Sequence, residues 1–169
     1  MYSKEDYINF AIEQVAKTKV KSDYSIEVAL YPSPETFQRV LGLTAIQAKE
    51  LGMAGITIPS TKTVTIFVGE IVEKVVAYVS QLPKVILWVL GGIDNLIKKS
   101  IVVTIIHECR HSNQFMFIQE HGLNLDSILF EENSHQYGTG KLEMDANLAV
   151  CGIRIPFSFL FRKELKKKK

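Results

Sequence analysis

The sequence predicts an α+β domain, with a small mixed or antiparallel sheet near its start and helices after it. Three observations carry this. Runs rich in β-branched residues and bounded by Pro, Gly and Ser are confined to the first 68 of the 169 residues. From residue 94 onward apolar side chains recur at helical spacing as far as Glu120. No repeat, low-complexity linker or composition break divides the chain, so one domain is expected over residues 1–169.

The elements follow in order. Tyr7, Ile8, Ala11, Ile12, Val15 and Ala16 are spaced for one helix face, which predicts a helix over 7–20. Residues 25–31 alternate as a strand and end at Pro32 and Pro34. Short helices fit 34–41, with Ser33 before a first-position proline, and 44–51, stopped by Gly52. Residues 55–68 are extended, with a turn at Pro59-Ser60 and the clearest strand at 64–68. Helices are expected at 70–82 and 84–90, separated by Pro83 and closed by Gly91-Gly92. One long helix covers 94–120, with Gly122 as its C-terminal stop. After a polar connection at 131–140, a helix fits 141–151, stopped by Gly152, and a last apolar piece covers 157–165.

Composition narrows the function classes. A chain that is 47% apolar and 22% charged is an ordinary globular one, and a net charge of +2 is too small to make nucleic acid the default partner. The basic run 166–169 reads as a solvated, flexible tail. Two cysteines, Cys109 and Cys151, make no disulfide framework, which points to a reducing compartment. The polar opening at Tyr2 to Tyr7 does not read as a signal peptide, so a cytoplasmic location is expected. The apolar run at 85–93 is far short of the roughly 20 residues a spanning helix needs. The slightly positive mean hydropathy leaves peripheral membrane contact open.

The informative stretch is Ile105-Ile106-His107-Glu108-Cys109-Arg110-His111. On a helix, His107 and His111 are one turn apart on one face, so both imidazoles can converge on a single cation. Zinc accepts neutral imidazole at about 2.0–2.1 Å, and a catalytic site keeps one position for water. Glu108 falls beside that face and can take a proton from such a water. A third protein ligand is required. The metzincin arrangement would put glycine and histidine where Gln114 and Phe117 stand, so it is excluded. His121 is too far along the same helix. Glu143 is the best candidate, in Lys141-Leu142-Glu143-Met144-Asp145-Ala146-Asn147, with Asp145 and His135 as alternatives. Asp145 points to a different helical face from Glu143 and could instead bond the outer nitrogen of His107 or His111. Tyr137 and His135, in the connection before that helix, are candidates to stabilise an oxyanion. Cys109 reads as a buried inert thiol, and Arg110 and Gln114 as structural hydrogen-bonding residues.

Glu143-Met144-Asp145-Ala146-Asn147 resembles the Glu-x-[Asp/Glu]-Ala-[Asp/Asn] element of gluzincin-type zinc peptidases. Similar elements occur in CAAX-processing membrane proteases and in small peptidases that cleave phage or stress repressors. The resemblance covers about residues 101–150. It implies a minimal zincin-like domain: a small sheet, then an active-site HExxH helix, then further helices. It also implies that Glu143 ligates one Zn2+, that Ala146 lets the two helices approach, and that Asn147 bonds a ligating histidine. Thermolysin-like enzymes have Asp at that last position; an amide oxygen can accept the same bond, but without charge.

The function implied is a zinc-dependent metallopeptidase acting on a peptide or protein substrate. A zinc-bound water activated by Glu108 would attack the scissile carbonyl, and Tyr137 would assist. Zincins commonly bind an extended peptide along a sheet-edge strand before the HExxH helix, which makes residues 63–68 the candidate substrate strand. The alternative is a catalytically silent zincin-fold module that only holds a partner. A third reading is a membrane-peripheral protein using residues 85–90 together with the 166–169 tail.

Overall fold

The computed structural model describes residues 1–18, 24–33, 53–134 and 139–168. The helices expected at 34–41 and 44–51 lie outside the described residues.

Helix α1, Lys4–Lys17, starts earlier than the apolar pattern suggests because Ser3 and Asp6 form a reciprocal cap. The Ser3 hydroxyl accepts from the Asp6 amide at 3.1 Å, and the Asp6 carboxylate accepts from the Ser3 amide at 2.9 Å. Tyr7 and Ala11, one turn apart, are its fully buried positions.

The extended segment is a hairpin of β2, Gly55–Ile58, and β3, Thr63–Phe67, reached after β1, Ser25–Ala29. The turn between them ends on Lys62, which adopts φ 53°. Strand order is β1-β3-β2, with β1 parallel and β2 antiparallel to β3, so the sheet is mixed. This corrects one expectation. Strand β3, the predicted peptide-binding edge, is paired on both sides, and its hydrogen-bonding groups are already used. Among the described residues, β2 is the strand beside the HExxH helix that is paired on one side only.

The chain turns directly from β3 into α2, Val68–Val79, and continues through α3, Lys84–Val89, into α4, Ile93–Glu120. Helix α4 holds 28 residues, and Ile97, Ile101 and Ile105 mark its core face at successive turns. It ends at Gly122, whose φ of 58° suits glycine. Helix α5, Leu125–Asn133, was not expected; the Asn124 side chain starts it by accepting from the Ser127 amide at 2.9 Å. Helix α6, Lys141–Val150, packs along α4. Two short helices close the chain, α7, Phe157–Leu160, and α8, Arg162–Lys167. Lys166 and Lys167 are thus helical, and Lys168 Nζ donates to the His121 carbonyl at 2.5 Å.

The main core joins Tyr7 and Ala11, the inner face of the sheet at Val64 and Ile66, the isoleucine row of α4, and Leu142 and Phe161. A second small cluster, Ile56, Ile58 and Phe67, lies on the other face of the sheet. The sheet therefore lies against α4 through the face carrying Gly55, Thr57, Val64 and Ile66, following the two-residue alternation. Among the described residues, no helix is long and apolar enough to cross a membrane.

Candidate metal centre

Helix α4 brings His107 and His111 to one face, and α6 sets Glu143 opposite them. The three inward edges are 3.0 Å between the imidazole Nε2 atoms, 3.2 Å from His111 Nε2 to Glu143 Oε1, and 3.4 Å from His107 Nε2 to Glu143 Oε2. A tetrahedral ion about 2.0–2.1 Å from each ligand sets ligand–ligand edges of about 3.3 Å. The two edges to Glu143 end on different carboxylate oxygens, and the ligand atoms of His107, His111 and Glu143 all lie within 4.8 Å of one another, so the three form a group that could hold a metal ion.

Electrostatics favour a cation as well. Hydrogen bonds from His107 and His111 hold the Glu143 carboxyl well below the usual carboxylate range, against the opposing effect of burial. Burial lowers the His111 pKa, but Glu143, Glu108 and Gln114 together outweigh it and raise the value above that of free imidazole.

The tautomer of His111 follows from its neighbours. Gln114 Nε2 donates to the Leu142 carbonyl at 3.0 Å and to Asp145 Oδ2 at 2.8 Å. Its Oε1 is therefore the acceptor facing His111 Nδ1 at 2.8 Å. Nδ1 keeps its proton, so when the ring gives up the Nε2 proton that bonds Glu143, Nε2 presents a lone pair to the centre. Behind Gln114, Asp145 takes a bidentate bond from Arg110, Nε to Oδ2 at 2.7 Å and Nη2 to Oδ1 at 2.9 Å. Arg110 also donates to the Ile155 carbonyl at 2.6 Å and stacks over Phe157.

This chain corrects the reading of Asp145. It is fully buried and bound to Arg110 and Gln114, so it is neither a ligand nor a direct partner of a histidine; it acts on His111 through Gln114. Asn147 is exposed and makes no hydrogen bond to His107, contrary to what the resemblance implies. Ala146 and Ala149 are buried against α4, where small side chains allow the two helices to approach.

Glu108 is held by β2. Thr57 Oγ1 lies 2.8 Å from Glu108 Oε2 and 3.0 Å from the Glu108 carbonyl oxygen. Gly55 is required beside it, because a Cβ there would stand 2.7 Å from Glu108 Cγ. Neither Gly55 nor Thr57 was singled out from sequence, although a glycine inside a strand pattern is itself a signal of close approach. A third unforeseen residue is Glu132 of α5, whose carboxylate accepts from the Leu142 and Glu143 amides, both at 3.1 Å. It caps the helix that carries Glu143. Cys109 is buried in the core, and burial with the nearby Glu108 charge pushes its thiol up to about 12. His135 and Tyr137 lie outside the described residues.

Comparison with protein-family models, curated proteins and solved structures gave no match.

Proposed function

We propose that the protein is a zinc-dependent metallopeptidase of gluzincin type, with His107, His111 and Glu143 as ligands and Glu108 as the base. The observation that carries the proposal is the convergence of His107, His111 and Glu143, whose ligand atoms all lie within 4.8 Å of one another, with buried Glu108 in the same helical turn. A structural site needs no such glutamate and fills its fourth position with protein.

When bound, zinc supplies Lewis-acid polarisation of a carbonyl and acidifies water. The residues divide the remaining work. Thr57 orients the Glu108 carboxylate through Oε2, leaving Oε1 to take the proton of the attacking water. That proton passes to the leaving amine as the C–N bond breaks, so one water is consumed and an acid and an amine are formed. Gln114 keeps the His111 lone pair turned inward. A peptide would pair with β2. The Phe67 amide bonds the Ala54 carbonyl at 2.8 Å, and antiparallel alternation from that pair turns the main-chain groups of Gly55 and Thr57 away from β3.

The test is metal content of protein purified without chelator. About one zinc per chain is expected in the wild type and in Glu108→Gln, with zinc lost in Glu143→Ala. Peptide hydrolysis should survive only in the wild type. Zinc retained with hydrolysis absent in every variant and the wild type would favour a silent binding module; no zinc in the wild type after reconstitution would refute the reading.

A further inference from the structure

The most conspicuous feature outside the metal centre is α3. Every residue from Val85 to Leu90 is apolar, none is buried, and exposure reaches 66% at Val85, 81% at Trp88 and 70% at Val89. The three most exposed, Val85, Trp88 and Val89, share one face at i, i+3 and i+4, while Ile86 at 43%, Leu90 at 36% and half-buried Leu87 turn to the other side. A short helix with one strongly exposed apolar face is the form that lies in a bilayer interface. A tryptophan with aliphatic neighbours is the composition that settles at that interface.

Charge around the tip points the same way. Lys84 opens the helix and is exposed, and Lys98 and Lys99 follow within the first two turns of α4. The one acid between residues 80 and 103 is Asp94. Its carboxylate is already engaged by the Tyr2 amide at 2.9 Å, the Met1 ammonium at 3.7 Å and the Tyr7 hydroxyl. Lys98 is half-buried over the Tyr2 and Phe10 rings, which leaves Lys84 and Lys99 as the exposed cations at this end, without a matching anion of their own segment. The lysine tail is not part of this surface. Lys168 lies by His121, at the opposite end of α4, about 40 Å along the helix axis from the tip. The pairing of residues 85–90 with the tail expected from sequence is thus replaced by a local one.

We infer that α3 inserts into the interfacial region of an anionic phospholipid bilayer, with Lys84 and Lys99 at the headgroups. This inference is independent of the peptidase reading. Trp88 is the chain's sole tryptophan, so its emission reports on this helix alone. The experiment uses the full chain with vesicles of phosphatidylcholine, or of phosphatidylcholine with phosphatidylserine. Expected are co-sedimentation with the serine-containing vesicles, a blue shift of Trp88 emission, and weaker binding as salt is raised. Val85→Glu with Val89→Glu should weaken binding at least about tenfold and remove the blue shift, with the melting temperature unchanged because both side chains are exposed. No binding to either vesicle at low salt overturns the inference, as does equal binding to both or binding undiminished in the double variant. Self-association without vesicles that the double variant abolishes would also overturn it, by assigning the face to a second copy.

Discussion

The amide oxygen of Gln114 lies 2.8 Å from Nδ1 of His111, and both residues are buried. The bond runs between positions three apart on one helix, so the ligand carries its own orienting partner. The amide nitrogen is occupied by Leu142 and Asp145, which leaves Gln114 a single orientation. Gln114→Leu should keep one zinc site but weaken zinc affinity about 10–100-fold. Gln114→Glu should not restore it, because a carboxylate there would face Asp145 and the Leu142 carbonyl, both acceptors. Competition with a chromophoric chelator measures the difference.

Breaking the Arg110–Asp145 pair should affect stability rather than the ligand set. Both side chains are buried, with two bonds at 2.7 and 2.9 Å. Asp145→Ala leaves a buried guanidinium uncompensated and is expected to cost about 3–5 kcal/mol. Chemical denaturation checks this, and zinc stoichiometry should remain at about one per chain. Loss of stoichiometric zinc in a still-folded Asp145→Ala protein would return Asp145 to the ligand set.

Gly55→Ala should separate metal loading from turnover. The added Cβ would meet Glu108 Cγ at 2.7 Å, and Cγ cannot yield without moving the carboxylate. Zinc content should be unchanged while hydrolysis of a peptide library falls at least about tenfold, within the range general-base groups contribute. Thr57→Val, which removes the hydroxyl at 2.8 Å from Oε2, should act in the same direction and more weakly.

The fold class was legible because period-2 and helical patterns occupy different parts of the chain, and the convergence of His107 and His111 follows from their spacing, whereas the choice of Glu143 over Asp145 or His135 rested on a resemblance. What spacing could not supply was the long-range partner of each group. Asp145 follows Glu143 by two residues, which fixes a different helical face but not that Arg110 waits there. Thr57 meets Glu108 across 51 residues of sequence, and nothing local to either position announces it. The pairing of β3 on both sides depends on β1 arriving parallel from 38 residues earlier, as in Ser25 opposite Thr63, a register no hairpin signal encodes. Helix α5 was overlooked although Asn124 caps it and Leu125, Ile128 and Leu129 share a face, because its acidic end resembles a loop.

Acidification should weaken zinc binding. The His111 pKa is raised in the folded, metal-free protein, because Glu143, Glu108 and Gln114 outweigh burial. Its proton stabilises that form fully below the ordinary imidazole value of about 6.5, and the contribution is lost as pH rises through the raised folded value. Glu143 has the opposite sign: its depressed pKa stabilises the fold above the ordinary carboxylate value, and this is lost only in strong acid. Zinc must displace the His111 proton, so below that raised pKa affinity should fall about tenfold per pH unit for each proton released. Calorimetric titration in buffers of different ionisation enthalpy counts those protons, and a count of zero below the raised His111 value would contradict that raised pKa.

Between Ile93 and His107, α4 is interrupted by neither proline nor glycine, and about 21 Å of axial rise separates the two residues. Such a rod does not bend to suit a substrate. Were α3 seated at a surface as inferred, α4 could hold the proposed ligands at most about 21 Å above its own start. A chain anchored in the same surface would need about six extended residues to reach them. Under the proposed peptidase activity, selection of the bond to be cut would then depend on its distance from the anchor as well as on the side chains around it, and α4 would serve as a ruler.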